Sequence, residues 1–445
     1  MVKNLHEIRD AIHVFVRVAS EERKVLDSRP FQRLRHINQL ALSPFVYPGA
    51  THKRFEHSLG VMELAGRVFD VVTRDENIRD KIREALPELS DEDGKRYWRR
   101  VLRISALCHD IGHLPFSHAA EDILLPEGWS HEYLTRDLIL SDEMENIWNS
   151  MTPPLRSTDI VKLAVGPTKL SNDADYQFTN WQAILAEIIV GDAFGVDRMD
   201  YLLRDSHHVG VTYGRFDHHR LIDTLRILPS SPTDSGEGKG QPELGIEHGG
   251  LQSAEALAFA RYFMYSQVYF HPVRRSYDLL LGDFMKSWLP DDYYPTDTEG
   301  HLSYTDNEVW AAILKSARNS GDKCFEYSDR ILNRKHFRVI YQRNPEDIKI
   351  NMNAAHAIFE AAKEKFGEKN IRMDSYTQKS TGIDFPVLMN DERIASSISL
   401  SDTLNKIPVA KFEFVYCVPE IKKSAQSWCR DNGSEIIKKA VEEDI

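Results

Sequence analysis

The stretch from Arg103 to His118, Arg-Ile-Ser-Ala-Leu-Cys-His-Asp-Ile-Gly-His-Leu-Pro-Phe-Ser-His, limits what this chain can fold into more than any other segment. An apolar run leads into His109 and Asp110, with His113 and His118 close behind. Imidazole and carboxylate at that density are hard to account for by packing alone. If the helix continues through the run, His109 and His113 lie four residues apart on one face with Asp110 beside them, and the three converge on a common point. A mixed nitrogen and oxygen set of this kind suits a divalent transition ion better than calcium. A buried histidine with a capping aspartate is the ordinary reading of any one of them, and the cluster outweighs it.

At 445 residues the chain has room for more than one hydrophobic core, and 42% hydrophobic with 28% charged residues is an ordinary globular balance. No run approaches the ~20 apolar residues needed to span a bilayer. The start Met-Val-Lys-Asn-Leu-His lacks the apolar core of a secretory signal, so a cytoplasmic protein with no membrane partner is expected. Cys108, Cys324, Cys417 and Cys429 are scattered without Cys-x-x-Cys spacing, which points to reduced thiols rather than disulfides or a thiolate zinc site. A net charge of −12 argues against a surface committed to nucleic acid, which needs clustered Lys and Arg. A confined pocket can still be positive inside an acidic protein.

From Glu21 to about Leu228 apolar residues recur at helical spacing. Asp27-Ser28-Arg29-Pro30 reads as a cap and first turn for a helix through Phe31, Leu34 and Ile37, and a second helix is expected from His52 or Lys53 with His57 in its first turns. Residues 229–250, rich in Ser, Pro, Gly and acidic side chains, read as a surface loop, because helical periodicity resumes at Leu251. Beyond residue 320 the segments Phe337–Tyr341, Asp384–Leu388, Ile394–Leu400 and Lys411–Tyr416 read as short strands among helices. The fold class expected is mostly α: a helical core over residues 1–320 and a smaller α+β region over 321–445.

Three further segments carry chemistry. Thr51–Ser58 sets His57 one turn from Arg54; Gly195–His208 places Asp197, Tyr201 and Asp205 on one helical face; and Arg261, Tyr265 and Tyr269 form a stripe before His271-Pro272, which should kink or restart the helix. Each has a plain alternative: an Arg54–Glu56 surface ion pair, Asp197 as a helix N-cap after Gly195, and a tyrosine stripe that is simply core.

A distant His, an adjacent His-Asp pair and a later Asp, here His57, His109-Asp110 and Asp197, resemble the signature of the HD-domain superfamily of metal-dependent phosphohydrolases. The blocks Phe31–Leu40, Arg54–Val61, Cys108–His118 and Asp197–Tyr201 resemble the deoxynucleoside triphosphate triphosphohydrolases within it, in order over roughly residues 5 to 285. The resemblance implies a helical HD core that cleaves a dNTP to deoxynucleoside and inorganic triphosphate. The rival reading is another HD phosphohydrolase, a 5′-nucleotidase or a phosphodiesterase.

By the same resemblance His57, His109, Asp110 and Asp197 hold one divalent ion (Mn, Fe, Mg, Ni or Zn), and His113, His118 and His131 line the α-phosphate. One of the three, His118 first among them, donates a proton to the leaving oxygen, with Glu121 orienting it. Arg54, Arg198, Tyr201 and Arg261 match phosphate-binding positions, Arg198 replacing the usual Lys. Gln39, Leu40, Asp205 and Tyr269 match residues around the deoxyribose, and Phe270 stands where some relatives have a polar residue near the base. Asp27, Gln32 and Arg35 match a regulatory nucleotide site of vertebrate members, whose companion Lys-Val pair is not recognisable near His6 and Glu7. A homo-oligomer, dimer or tetramer, is also implied.

Overall fold

The computed structural model describes residues 5–117, 121–170, 173–230, 241–377 and 384–443. They form two compact units: Met1–Arg261 with Tyr294–Asn307 and Gly382–Ile407, and Tyr262–Tyr293 with Glu308–Thr381 and Pro408–Ile445. The chain therefore passes between the units repeatedly. Among the described residues no helix is long and apolar enough to cross a membrane.

The first unit opens with an antiparallel hairpin, β1 (Leu5–Asp10) and β2 (Val14–Ala19). Its helical core comprises α1 (Arg54–Val72), α2 (Glu92–Cys108), α3 (His131–Ile139), α4 (Ser157–Val165), α5 (Asn180–Val190) and α6 (Val196–Val209). The helices start where the sequence supplies partners for their free N–H groups. Glu56 accepts from the Lys53 backbone N–H at 3.0 Å at the start of α1, Asp91 accepts from Asp93 N–H at 3.0 Å before α2, and Thr179 and Gln182 cap α5 reciprocally. Val61, Leu64 and Val68 of α1 are fully buried, each worth ~1.5–3 kcal/mol relative to exposure.

Helix α1 packs along α2 and across α6. The approach to α6 requires a glycine: a Cβ on Gly60 would lie 1.9 Å from Asp200 Oδ1 and 2.5 Å from Arg204 Nη2. A second close approach sets α3, since a Cβ on Gly112 would meet the Thr135 N at 2.2 Å and the His131 O at 2.3 Å. These two contacts place three pieces of chain around the His109-Asp110 turn.

The expected helix through Phe31, Leu34 and Ile37 is shorter than its pattern, an α-helical Arg29–Arg33 followed by a 3₁₀ turn, Leu34–His36. Helical periodicity also overran at its far end. Leu225–Pro229 is a strand, β3, and Pro242–Glu247 is its antiparallel partner β4, so the loop expected over 229–250 is corrected to a paired strand over much of its second half. The cause is a non-local ladder, which local composition does not report. Strand β7 (Pro386–Leu388) pairs in parallel with β4, and β8 (Ile394–Ser396) completes the order β3-β4-β7-β8. The strand expected over Ile394–Leu400 thus stops at Ser396, and Ser397–Leu400 turns helical.

Helix α7 (Leu251–Met264) leads into the second unit, where Tyr265–Tyr269 forms a π-helical turn and α8 (Pro272–Trp288) restarts at Pro272. The second unit is an α+β layer: β5 (Arg338–Gln342), β6 (Ile371–Thr377) and β9 (Lys411–Cys417) in the antiparallel order β5-β9-β6. Helices α9 (Ala354–Phe366) and α10 (Lys422–Glu443) share its core through Ile358, Ala362, Val415, Cys417 and Ala425. The mostly helical fold with a smaller α+β region is the class the sequence pattern indicates.

Candidate metal centre

Helix α2 ends at Cys108, and His109 to His113 form a turn in which the His113 N–H meets the Asp110 carbonyl at 3.1 Å. The helical face expected to carry His109 and His113 is therefore corrected: a turn, pinned by Gly112 N–H to Thr135 Oγ1 (3.0 Å), does the converging. His57 comes from the first turn of α1 and Asp197 from the first turn of α6. Asp197 lies inside the helix, and Gly195 is the N-cap.

His57 Nε2 lies 3.0 Å from Asp197 Oδ1 and 3.6 Å from Asp110 Oδ2; His109 Nε2 lies 3.3 Å from Asp110 Oδ1 and 3.4 Å from Asp197 Oδ1. The protons on the two rings follow from their other nitrogens. His57 Nδ1 faces Asp200 Oδ2 at 2.8 Å and His109 Nδ1 faces the Ala106 carbonyl at 2.8 Å, and both partners can only accept. Each Nδ1 therefore donates, and each Nε2 is aimed at two carboxylates, where it carries a lone pair whenever its ring is neutral. His109 Nε2 is buried without a hydrogen-bond partner. Lone pairs directed at carboxylate oxygens repel unless a positive centre lies among them, which is the donor set and tautomer a divalent ion requires.

The electrostatics agree. Burial opposes a charged His57 ring, but hydrogen bonds with Asp197 and Asp200 and the charge of Asp110 outweigh it and raise its pKa to about 10. Burial likewise works against an ionised Asp110, yet Arg54, His109 and His113 hold it well below the usual carboxylate range, and His109 and His57 do the same for Asp197. A site that binds a proton so tightly favours any cation, and a metal reaching the lone pair must displace that proton.

Beside this centre His113 Nε2 meets Asp110 Oδ1 at 3.2 Å, and the His113 and His131 rings stack at 3.8 Å. Glu121 Oε1 accepts both from the His131 backbone N–H and from its Nδ1, each at 2.8 Å. His118 lies outside the described residues. Arg54 is buried, paired with Asp110, and donates from Nε to Ser117 Oγ at 2.8 Å, so it belongs to the centre and not to a surface pair with Glu56.

The model of the HD domain matches residues 54–202, and that of the HD associated region matches 216–410. The chain belongs to the HD-domain superfamily. It is 36% identical over 274 residues to an uncharacterised protein of Methanocaldococcus jannaschii, covering 62% of this chain and 48% of that one. It is 29% identical over 375 residues to the deoxynucleoside triphosphate triphosphohydrolase of Gallus gallus, covering 76% and 56%. Among solved structures, a hypothetical protein from Aquifex aeolicus matches with a TM-score of 0.75 at 30% identity, over 95% of this chain and 99% of that one. The chain spans about half the length of the curated relatives it matches. As an HD-domain protein it is placed in a family of metal-dependent phosphohydrolases.

The remaining expected residues of this HD domain are distributed as follows. Gln39 and Leu40 are buried in the first unit, and Gln39 Oε1 has no hydrogen-bond partner. Asp205 is buried and accepts from His52 Nε2 at 2.7 Å. Arg198 donates to the Gly191 carbonyl at 3.0 Å and to Asp192 Oδ1 at 3.2 Å. Tyr201 is half-buried on α6, one turn beyond Asp197, and Arg261 is buried on α7. Tyr269 sits in the π turn of the second unit against Tyr265, with its carbonyl accepting from Arg274 at 2.6 Å; Phe270 packs on Tyr376 and Phe412. Gln32 accepts from Arg35 at 2.9 Å, and Arg35 lies over the Phe55 ring. Asp27 ends the helix Ser20–Leu26 and pairs with Arg23, so Ser28, not Asp27, is the N-cap of the next helix.

Sequence reasoning passed over Asp200, His13 and Asp306, and took Arg204 only as a candidate local cation near the motifs. Only Asp200 had a local signal, its spacing of three from Asp197, which puts both on the first turns of α6.

Proposed function

We propose that this HD-domain protein is a dNTP triphosphohydrolase, releasing a deoxynucleoside and inorganic triphosphate. The observation that supports it best is the convergence of the His57 and His109 Nε2 atoms on Asp110 and Asp197, with stacked His113 and His131 alongside. The family resemblance over residues 5 to 285 and the named activity of the Gallus gallus relative favour a nucleoside triphosphate over a monophosphate.

His57, His109, Asp110 and Asp197 would hold the ion, manganese being the first to try. When bound it acidifies a water and polarises phosphorus. Arg54 adds a fixed positive charge at Asp110, and Arg198, Tyr201 and Arg261 bind the remaining phosphate oxygens. Glu121 fixes the His131 ring, and one of His113, His118 and His131 protonates the leaving 5′ oxygen. The partnerless Gln39 carbonyl and Asp205 read the 3′-hydroxyl; selection of deoxyribose by Tyr269 rests on the family resemblance alone. A regulatory nucleotide at Asp27, Gln32 and Arg35, assembly into dimers or tetramers, and a cytoplasmic location complete the proposal.

The test incubates each dNTP, singly and in pairs, with Mn²⁺ and separates products by anion exchange. Triphosphate and deoxynucleoside are expected. Monophosphate with pyrophosphate, or hydrolysis of monophosphates alone, refutes the scission.

A further inference from the structure

Directly behind His57 lies a buried chain of charged groups that ends in the N-terminal hairpin. Asp200, fully buried on α6, accepts from four donors: His57 Nδ1 (2.8 Å) and Arg204 Nε (2.8 Å) at Oδ2, and His13 Nε2 (2.6 Å) and Arg204 Nη2 (3.0 Å) at Oδ1. Arg204 reaches on to Asp10, donating from Nη1 to Oδ2 at 2.9 Å. Asp10 in turn accepts from the backbone N–H groups of Ile12 and His13, both at 2.8 Å, and so shapes the turn that carries His13.

That turn is strained. Val14 has φ +66°, an unusual conformation for a β-branched residue, and the Phe15 N–H bonds the His13 carbonyl at 2.7 Å across it. Strain of this sort persists only where the surroundings over-determine it, and here the over-determination is the lock of His13 onto Asp200. Gly60 adds a third sign of the same constraint, because any side chain there would displace the Asp200 carboxylate.

We propose that Asp200 is the positioning residue of the metal centre, and that the hairpin turn Asp10–Val14 sets its geometry through His13 and Arg204. Because a carboxylate only accepts, Asp200 keeps a proton on His57 Nδ1, so that Nε2 is the nitrogen offered to an ion that displaces its proton. His13 and Arg204 leave the carboxylate one orientation. The hairpin, far from the metal-binding motif in sequence, thereby becomes part of the metal-binding apparatus. This rests on the metal reading of the site, and the experiment separates the two.

The experiment titrates the full chain with Mn²⁺ and reads free Mn²⁺ by electron paramagnetic resonance, with far-UV circular dichroism alongside. The variants are Asp200→Asn, His13→Ala and Val16→Ala, the last a fully buried hairpin residue with no part in the chain of hydrogen bonds. Asp200→Asn is expected to weaken Mn²⁺ binding by ~10–100-fold and His13→Ala by several-fold, while Val16→Ala binds like wild type. Should Asp200→Asn fail to fold, His13→Ala decides alone. Wild-type affinity in folded His13→Ala overturns the proposal, as does equal loss in Val16→Ala, which would mean general loosening. A wild-type chain that binds no Mn²⁺ sinks the metal reading instead.

Discussion

Asp306 offers a quantitative check on how the loops beside the metal centre are held. Its carboxylate is almost wholly buried and accepts from the Asn38 N–H at Oδ2 and the Phe116 N–H at Oδ1, both at 2.7 Å. It thus ties the segment carrying Gln39 and Leu40 to the turn of Phe116 and Ser117, two consecutive non-glycine residues with φ of +57° and +59°. Burial raises its pKa from 3.8 to about 6, against the opposing pull of the two N–H groups. The unfolded chain therefore loses this proton first as pH rises. Between about pH 4 and pH 6 the folded state binds more protons than the unfolded state, so stability falls with rising pH through that window, by ~3 kcal/mol. Asp306→Asn removes the titration but leaves one buried N–H facing an amide nitrogen, a cost of ~1–3 kcal/mol at any pH. The variant should be clearly less stable than wild type near pH 4 and close to it near pH 7. Urea unfolding of both proteins across that range measures the difference, which cancels the contributions of other groups. Parallel pH profiles for the two proteins would refute the buried, ionising clamp.

Gly60→Ala should destabilise the first unit by ~1–3 kcal/mol or more, because the new methyl group meets a buried carboxylate that cannot move without disturbing Arg204. Thermal unfolding reports it, and an unchanged midpoint would contradict the close helix approach. Mn²⁺ at about one hundred times its dissociation constant should add ~2.7 kcal/mol to stability, an effect abolished by chelation and absent in His109→Ala; calorimetry with and without chelator checks it, and equal stabilisation of the variant would remove His109 from the ligand set.

What the sequence disclosed here divides along physical lines. His109 and Asp110 were legible as candidates because imidazole and carboxylate crowd one short stretch, His57 and Asp197 joined them through the family resemblance, and the α6 stripe was legible because helical periodicity is local. The turn at His109–His113 was not, since the apolar run before it carries no stop signal; Gly112 there admits the backbone of α3 and bonds Thr135, 23 residues away. The same reason hid β4, whose partners lie on either side of it in the chain and as far as Leu388. His13 and Asp200 are 187 residues apart, and neither has a local signature of its companion. Asp306 likewise reaches Asn38 and Phe116 from a segment that reads as an unremarkable helix start.

The parallel pairing of β7 with β4 has a consequence for how this polypeptide is made and cut. The amino-terminal unit cannot finish its sheet until Pro386–Leu388 has left the ribosome, so during translation β4 presents an unpaired edge of N–H and C=O groups to its surroundings. A truncation near residue 320 would make that transient state permanent, and such fragments should self-associate along the open strand even with His57, His109, Asp110 and Asp197 in place.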